Sequence, residues 1–222
     1  MSNPIESMRL KITVIGKLLF DRRLTDAAGG NISARVGEFI CITPRYSGSK
    51  HQWSLRLDQV LVSDLMGNKL EGDGDLSREA KVHFRIYQAF PDVRAVIHCH
   101  AQNALVFASA CQPIEPVLED TLKFGTVPVT RYAPAHSIEL AESIVGLLQG
   151  KEERIRTQAA AVLAPWHGLF VAGKDLDAAF DAAERIDTNA RCILFSRLLP
   201  ENEATGPTAT RARLEKAMQE FR

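Results

Sequence analysis

The sequence predicts a single-domain α/β protein, and three observations carry that expectation. Apolar residues recur at steps of three and four in several segments, the spacing of amphipathic helices. Between them lie short runs rich in Val, Ile and Ala that read as strands. The chain has 222 residues, 45% of them hydrophobic and 24% charged, with no internal repeat, linker or low-complexity tract, so one domain spanning 1–222 is expected. A polar tail begins at about residue 200.

The elements follow in order. Ile5, Met8, Ile12, Ile15 and Leu19 form one apolar face of a first helix. The Asp26–Asn31 stretch, DAAGGN, carries two glycines and marks a turn. Ile32–Val36 and Phe39–Thr43 flank Gly37-Glu38 as a tight hairpin. Pro44–Gln52 reads as a polar loop carrying Arg45 and Lys50. Val60–Leu65 and the run after Gly67-Asn68 read as another strand pair. Ser77 is placed to cap the next helix, on which Glu79, His83, Ile86, Tyr87 and Phe90 share one side. Ala95–His100 starts as a buried strand, and Ala101–Ala110 and Ser137–Gln149 read as helices. Ala159–Pro165 and Gly168–Gly173 are further strands, and Asp175 caps a long final helix. A short terminal helix is expected after the polar tail.

Composition excludes several functions. Lys+Arg and Asp+Glu both total 27, so nucleic-acid binding through bulk positive charge is not expected. The four cysteines form no CxxC pair or dense cluster, which fits a reducing, cytoplasmic setting rather than a disulfide framework. The N-terminus lacks a signal-like apolar run, and no stretch approaches a membrane span.

The histidines are more informative. His98 and His100 stand two apart on a strand, so both rings face one side. They fit ligands of one divalent ion, or a partly exposed pair at a strand end. His167, in PWHG just past another strand, offers a third imidazole. Three neutral imidazoles with an open fourth position make a catalytic rather than a structural metal site. Glu79 adds a carboxylate suited to acid–base work, or equally to a solvated place in the first turn of a helix.

GGNIS (Gly29–Ser33), ITP (Ile42–Pro44), DLMGNKLEG, E-x-x-x-H (Glu79, His83), H-x-H (His98, His100) and HGLFVAGKDLDAAF together resemble the class II aldolase/adducin superfamily. The resemblance runs over nearly the whole chain, from about Ile5 to Leu199. It implies a three-layer α/β/α domain around a central, mostly antiparallel mixed sheet. It assigns His98, His100 and His167 as metal ligands and Glu79 as the acid/base residue. It also places Gly30 and Asn31 in one phosphate-binding loop, Thr43 at the start of a second, and Ser77 in the remainder of that pocket. Superfamily members are aldolases, epimerases, dehydratases and decarboxylases of small sugar phosphates or related acids, while adducin head domains share the fold without metal chemistry.

Three departures from the aldolase pattern stand out. Ser-Ser-Glu has become Ser77-Arg78-Glu79, and a compact turn has become the longer PRYSGSK. The proton-donating tyrosine is missing from the stretch matching Pro116–Thr121, where Glu119 and Asp120 stand; Tyr132 matches a different family tyrosine. Arg45, Lys50 and Arg78 suit a carboxylate or phosphate partner, or simply a charged surface. The expectation is a carbon–carbon lyase of aldolase type, working through a metal-stabilised enediolate on a small anionic substrate. Decarboxylase, dehydratase and an adducin-like interaction module are the alternatives. Zinc is the first choice of ion, with Mn, Co or Fe also compatible. The resemblance further implies a homotetramer, with no membrane or nucleic-acid partner.

Overall fold

A computed structural model describes residues 3–199, together with the isolated helical positions Ala212 and Lys216. Apart from those two positions, the polar tail and terminal helix expected beyond residue 200 lie outside the described residues. Seven strands form one sheet in the order β4-β3-β2-β1-β5-β7-β6. Their ranges are β1 Asn31–Val36, β2 Phe39–Ile42, β3 Leu61–Ser63, β4 Lys69–Glu71, β5 Ala95–Cys99, β6 Ala159–Ala164 and β7 Gly168–Gly173. Every ladder is antiparallel, and parallel pairing is confined to the isolated bridge Val129–Leu163. The helices are α1 Pro4–Asp21, α2 Ser47–His51, α3 Ala80–Ala89, α4 Gln102–Ser109, α5 Ile138–Leu148, α6 Glu152–Thr157 and α7 Leu176–Ser196. Short 3₁₀ turns run over Leu57–Gln59 and Glu119–Phe124.

The sheet separates two apolar cores, giving the three expected layers. On one face α1, α4 and α7 bury Ile12, Leu19, Phe107, Leu176 and Ile186 against Ala95, Ile97 and Cys99 of β5. On the other, α3 and α5 bury Ile86, Tyr87, Leu140 and Ile144 with Val96. The alternation of β5 between the cores is the period-two rule of a strand. It sends His98 to the same side as Val96. Asn3 and Asp175 cap α1 and α7 by accepting from the backbone N–H groups of Ile5 and Ala178, as helix N-caps do.

Two local expectations are corrected. Pro44–Gln52 is not all loop, because Ser47–His51 makes a short helix bracketed by Tyr46 and Gln52 in left-handed conformation. Ser47 Oγ donates to Pro44 O at 2.7 Å and closes that turn. Ser77 is not the cap of α3: Glu79 holds that position. Ser77 Oγ instead accepts from the Glu79 N–H at 3.2 Å, steering the chain into the helix one turn earlier. Among the described residues, no helix is long and apolar enough to cross a membrane.

Candidate metal centre and substrate pocket

The sheet register brings the site together from residues far apart in sequence. Asn31 of β1 lies opposite His98 of β5, and His98 lies opposite Phe170 of β7, whose ring stacks on the imidazole at 4.1 Å between centroids. His100 follows directly after β5, and His167 sits in the Pro165-Trp166-His167 turn of the β6–β7 hairpin. That hairpin is tied to the end of α4: the Trp166 backbone N–H donates to Ala108 O, and its indole Nε1 donates to Ser109 O. His167 is therefore held by an anchored turn, not by a free loop.

Among the described residues, His98, His100 and His167 each offer a ligand atom, all within 4.8 Å of one another. On His98 and His100 the other ring nitrogen is already engaged. His98 Nδ1 lies 3.1 Å from Leu169 O, and His100 Nδ1 lies 3.1 Å from Asp26 Oδ1. A carbonyl and a carboxylate only accept, so each Nδ1 carries the proton and each Nε2 is the free ligand atom. His100 Nε2 is buried without a partner. A Cβ built on Gly29 would lie 2.3 Å from His100 Cε1, so the glycine makes room for this ring. Burial, reinforced by the neighbouring imidazoles, holds His98 well below its usual pKa. Burial also lowers His167, against an opposing pull from the Glu79 carboxylate. Neutral imidazoles are the form that binds a metal, so this donor set fits a divalent ion.

Glu79 is 5% exposed, which removes the solvated first-turn reading. Its Oε1 accepts the His136 backbone N–H at 2.8 Å and pairs with His136 Nδ1. Oε2 is buried and unpartnered. Ser77 Oγ, which receives the Glu79 N–H, also accepts from Asn31 Nδ2 at 3.2 Å. Gly30, at φ +98°, brings the backbone round to Asn31 in a conformation that side chains disfavour.

These groups line one cavity of about 160 Å³, together with Arg45, Arg78, Tyr46 and His136. Of the residues expected at the site, Gly30, Asn31, Arg45, Ser77, Arg78, Glu79 and the three histidines all line it. Thr43 does not. It is fully buried, and its Oγ1 accepts the Ile32 N–H at 3.0 Å, joining β1 to the end of β2. Lys50 also lies outside the lining and sits over the Tyr46 ring, which Arg45 contacts as well. Asp120 pairs with Arg185 rather than reaching the cavity.

Sequence reasoning missed His136 and Asp26. Glu79 and His136 are 57 residues apart, and no periodicity joins them. Asp26 sits in an ordinary-looking turn, where its Oδ1 also accepts from the backbone N–H groups of Ala28 and Gly29.

The family model "Class II Aldolase and Adducin N-terminal domain" matches residues 11–194. An L-fuculose phosphate aldolase from Methanococcus maripaludis strain C7 is 29% identical over 177 residues, covering 78% of this chain and 89% of that protein. A methylthioribulose-1-phosphate dehydratase from Pseudomonas fluorescens is 27% identical over 211 residues, 89% of this chain and 97% of that protein. A solved L-fuculose 1-phosphate aldolase superposes with a TM-score of 0.79 at 24% identity, covering 100% of this chain and 98% of the other.

Proposed function

This chain belongs to the class II aldolase and adducin family, and from that membership we propose that it is a divalent-metal-dependent carbon–carbon lyase of aldolase type. Its substrate is a small anionic hydroxycarbonyl compound, a sugar phosphate or a hydroxy- or keto-acid. One observation carries the reading: three imidazole ligand atoms within 4.8 Å of one another share a cavity with a buried Glu79 whose Oε2 has no partner.

His98, His100 and His167 would hold the ion, with zinc proposed first. Such an ion supplies Lewis-acid polarisation of a substrate carbonyl. The protein's own groups do the rest. In the condensing direction Glu79 Oε2 takes the proton from the carbon beside the carbonyl. In the cleaving direction the departing carbon's hydroxyl gives its proton to water as the bond breaks and the aldehyde forms, and Glu79 returns a proton to the carbon beside the carbonyl. Arg45 and Arg78 face the same cavity and fit the anionic end of the substrate by charge-assisted hydrogen bonds. Asn31, Ser77 and the Gly30 backbone complete that side. Family membership also supports an assembly of several copies, checked by the mass in solution.

Loss of water next to a carbonyl is the second reading, favoured by the dehydratase relative that aligns over nearly its whole length. Loss of carbon dioxide is a third, suited to the two arginines. Offering the metal-loaded protein hydroxyketone phosphates and hydroxy- or keto-acids separates the three by product: aldehyde, dehydrated ketone or carbon dioxide. Aldehyde is expected, and Glu79→Gln is expected to slow its release by about 10²–10⁴-fold. No lyase product from any substrate leaves the adducin-like module as the better account, and full activity in Glu79→Gln removes Glu79 from the proton-transfer role.

A further inference from the structure

We propose that His136 is a positioning residue for Glu79, locking one carboxylate oxygen so that the other is the atom presented to substrate. This rests on the reading of Glu79 as the proton carrier. His136 meets Glu79 twice, and both contacts fall on the same oxygen. Its backbone N–H donates to Oε1 at 2.8 Å, and its Nδ1 lies in ion-pair contact with the same oxygen, outside hydrogen-bond geometry. Both contacts hold Oε1 in place. Oε2, buried and unpartnered, is what remains. Glu79 and His136 both line the cavity with the three metal-type histidines.

The backbone supports the same assignment. His136 stands at φ +67°, in the left-handed region that glycine adopts most readily and in which histidine, asparagine and aspartate are the enriched residues with a Cβ. A purely structural turn here is better served by glycine, which would keep the N–H bond to Oε1 and lose only the ring. The ring contact with Glu79 is what glycine would not supply.

The test compares His136→Gly, which relieves the backbone and deletes the ring, with His136→Asn. Asparagine tolerates left-handed φ and places an amide nitrogen near the position of Nδ1. The assay is deuterium uptake from D₂O into dihydroxyacetone phosphate by the metal-loaded protein, followed by NMR. His136→Gly is expected to lower kcat by about tenfold or more. Its KM should stay within about threefold of the wild type and its Tm should be no lower. His136→Asn should recover most of the loss. A kcat for His136→Gly within about twofold of wild type overturns the proposal, as does a loss that tracks a fall in Tm. If the wild-type protein itself exchanges no deuterium, the reading of Glu79 fails with this probe, and the pairing is decided by spectroscopy. The ¹⁵N resonance of His136 Nδ1 should move in Glu79→Gln; an unmoved resonance overturns the positioning role on its own.

Discussion

His83 is the residue where burial and ionisation oppose each other most plainly. It is fully buried on α3, with Nδ1 2.7 Å from Ser33 Oγ, and that hydroxyl is 2.8 Å from the Tyr87 hydroxyl. No carboxylate faces it, so burial alone lowers its pKa from 6.5 to about 3. The folded protein therefore keeps this ring neutral while the unfolded chain protonates it below about pH 6.5. The unfolded state then binds more protons, and stability falls as pH drops from about 6.5 toward 3, by up to about 1.4 kcal/mol per pH unit from this one group. Above about pH 6.5 the group contributes no slope. The difference in urea-unfolding free energy between wild type and His83→Gln should accordingly change with pH between about 4 and 6 and be flat above about 7. Parallel curves across the acid range would show that His83 is not the titrating group. The Ser33 partner of His83, 50 residues away, was not legible from sequence.

At the scale of elements, α7 works as a clamp as well as a core helix. Asp187 is 7% exposed, and its Oδ1 accepts the backbone N–H groups of Asn103 and Ala104 at 2.8 and 3.0 Å. These are free donors of the first turn of α4, whose own cap residue, Ala101, offers no side chain for the task. The carboxylate also meets the positive end of the α4 dipole. Two residues on, Asn189 Oδ1 accepts from the N–H groups of Val117 and Leu118, fixing the loop before the 3₁₀ turn. Because α4 starts immediately after His100, this clamp also fixes the exit of β5. Asp187→Ala should cost about 1–3 kcal/mol, since it strands buried donors, and Asp187→Asn should cost less because one acceptor remains. Urea denaturation of both variants is the check, and a loss below about 0.5 kcal/mol for alanine would mean that water replaces the carboxylate freely. The Asp175 cap could be read from sequence because capping is local. Asp187 could not, because it caps a helix 84 residues away. For a similar reason Ser77 was assigned to the wrong cap: the type of residue was right, but its hydroxyl serves a turn that composition does not reveal.

For the whole molecule, the decisive feature is that the sheet sets all three metal-type histidines: His98 lies on β5, His100 just past its end and His167 in the turn joining β6 to β7. Alternation along β5 and the anchored PWHG turn made all three legible in sequence, and the resemblance tied them together. The cavity's remaining shape depended on where α2 and the His136 turn fold, which local patterns do not carry. An ion held by residues from β5 and the β6–β7 hairpin binds the folded site and not the unfolded chain, so its binding free energy should appear as global stability. At 100 times the dissociation constant, ligand linkage amounts to about 2.7 kcal/mol. In a domain of this size each kcal/mol moves Tm by about 2–4 °C, so a rise of roughly 5–10 °C is expected when Zn²⁺ or a competing ion is added to chelator-treated protein. EDTA should reverse the rise, and His98→Ala and His167→Ala should each remove it. An interaction module without a metal site would show no specific shift with Zn²⁺, Mn²⁺, Co²⁺ or Fe²⁺. A shift that survives both histidine substitutions would place the ion elsewhere on the molecule.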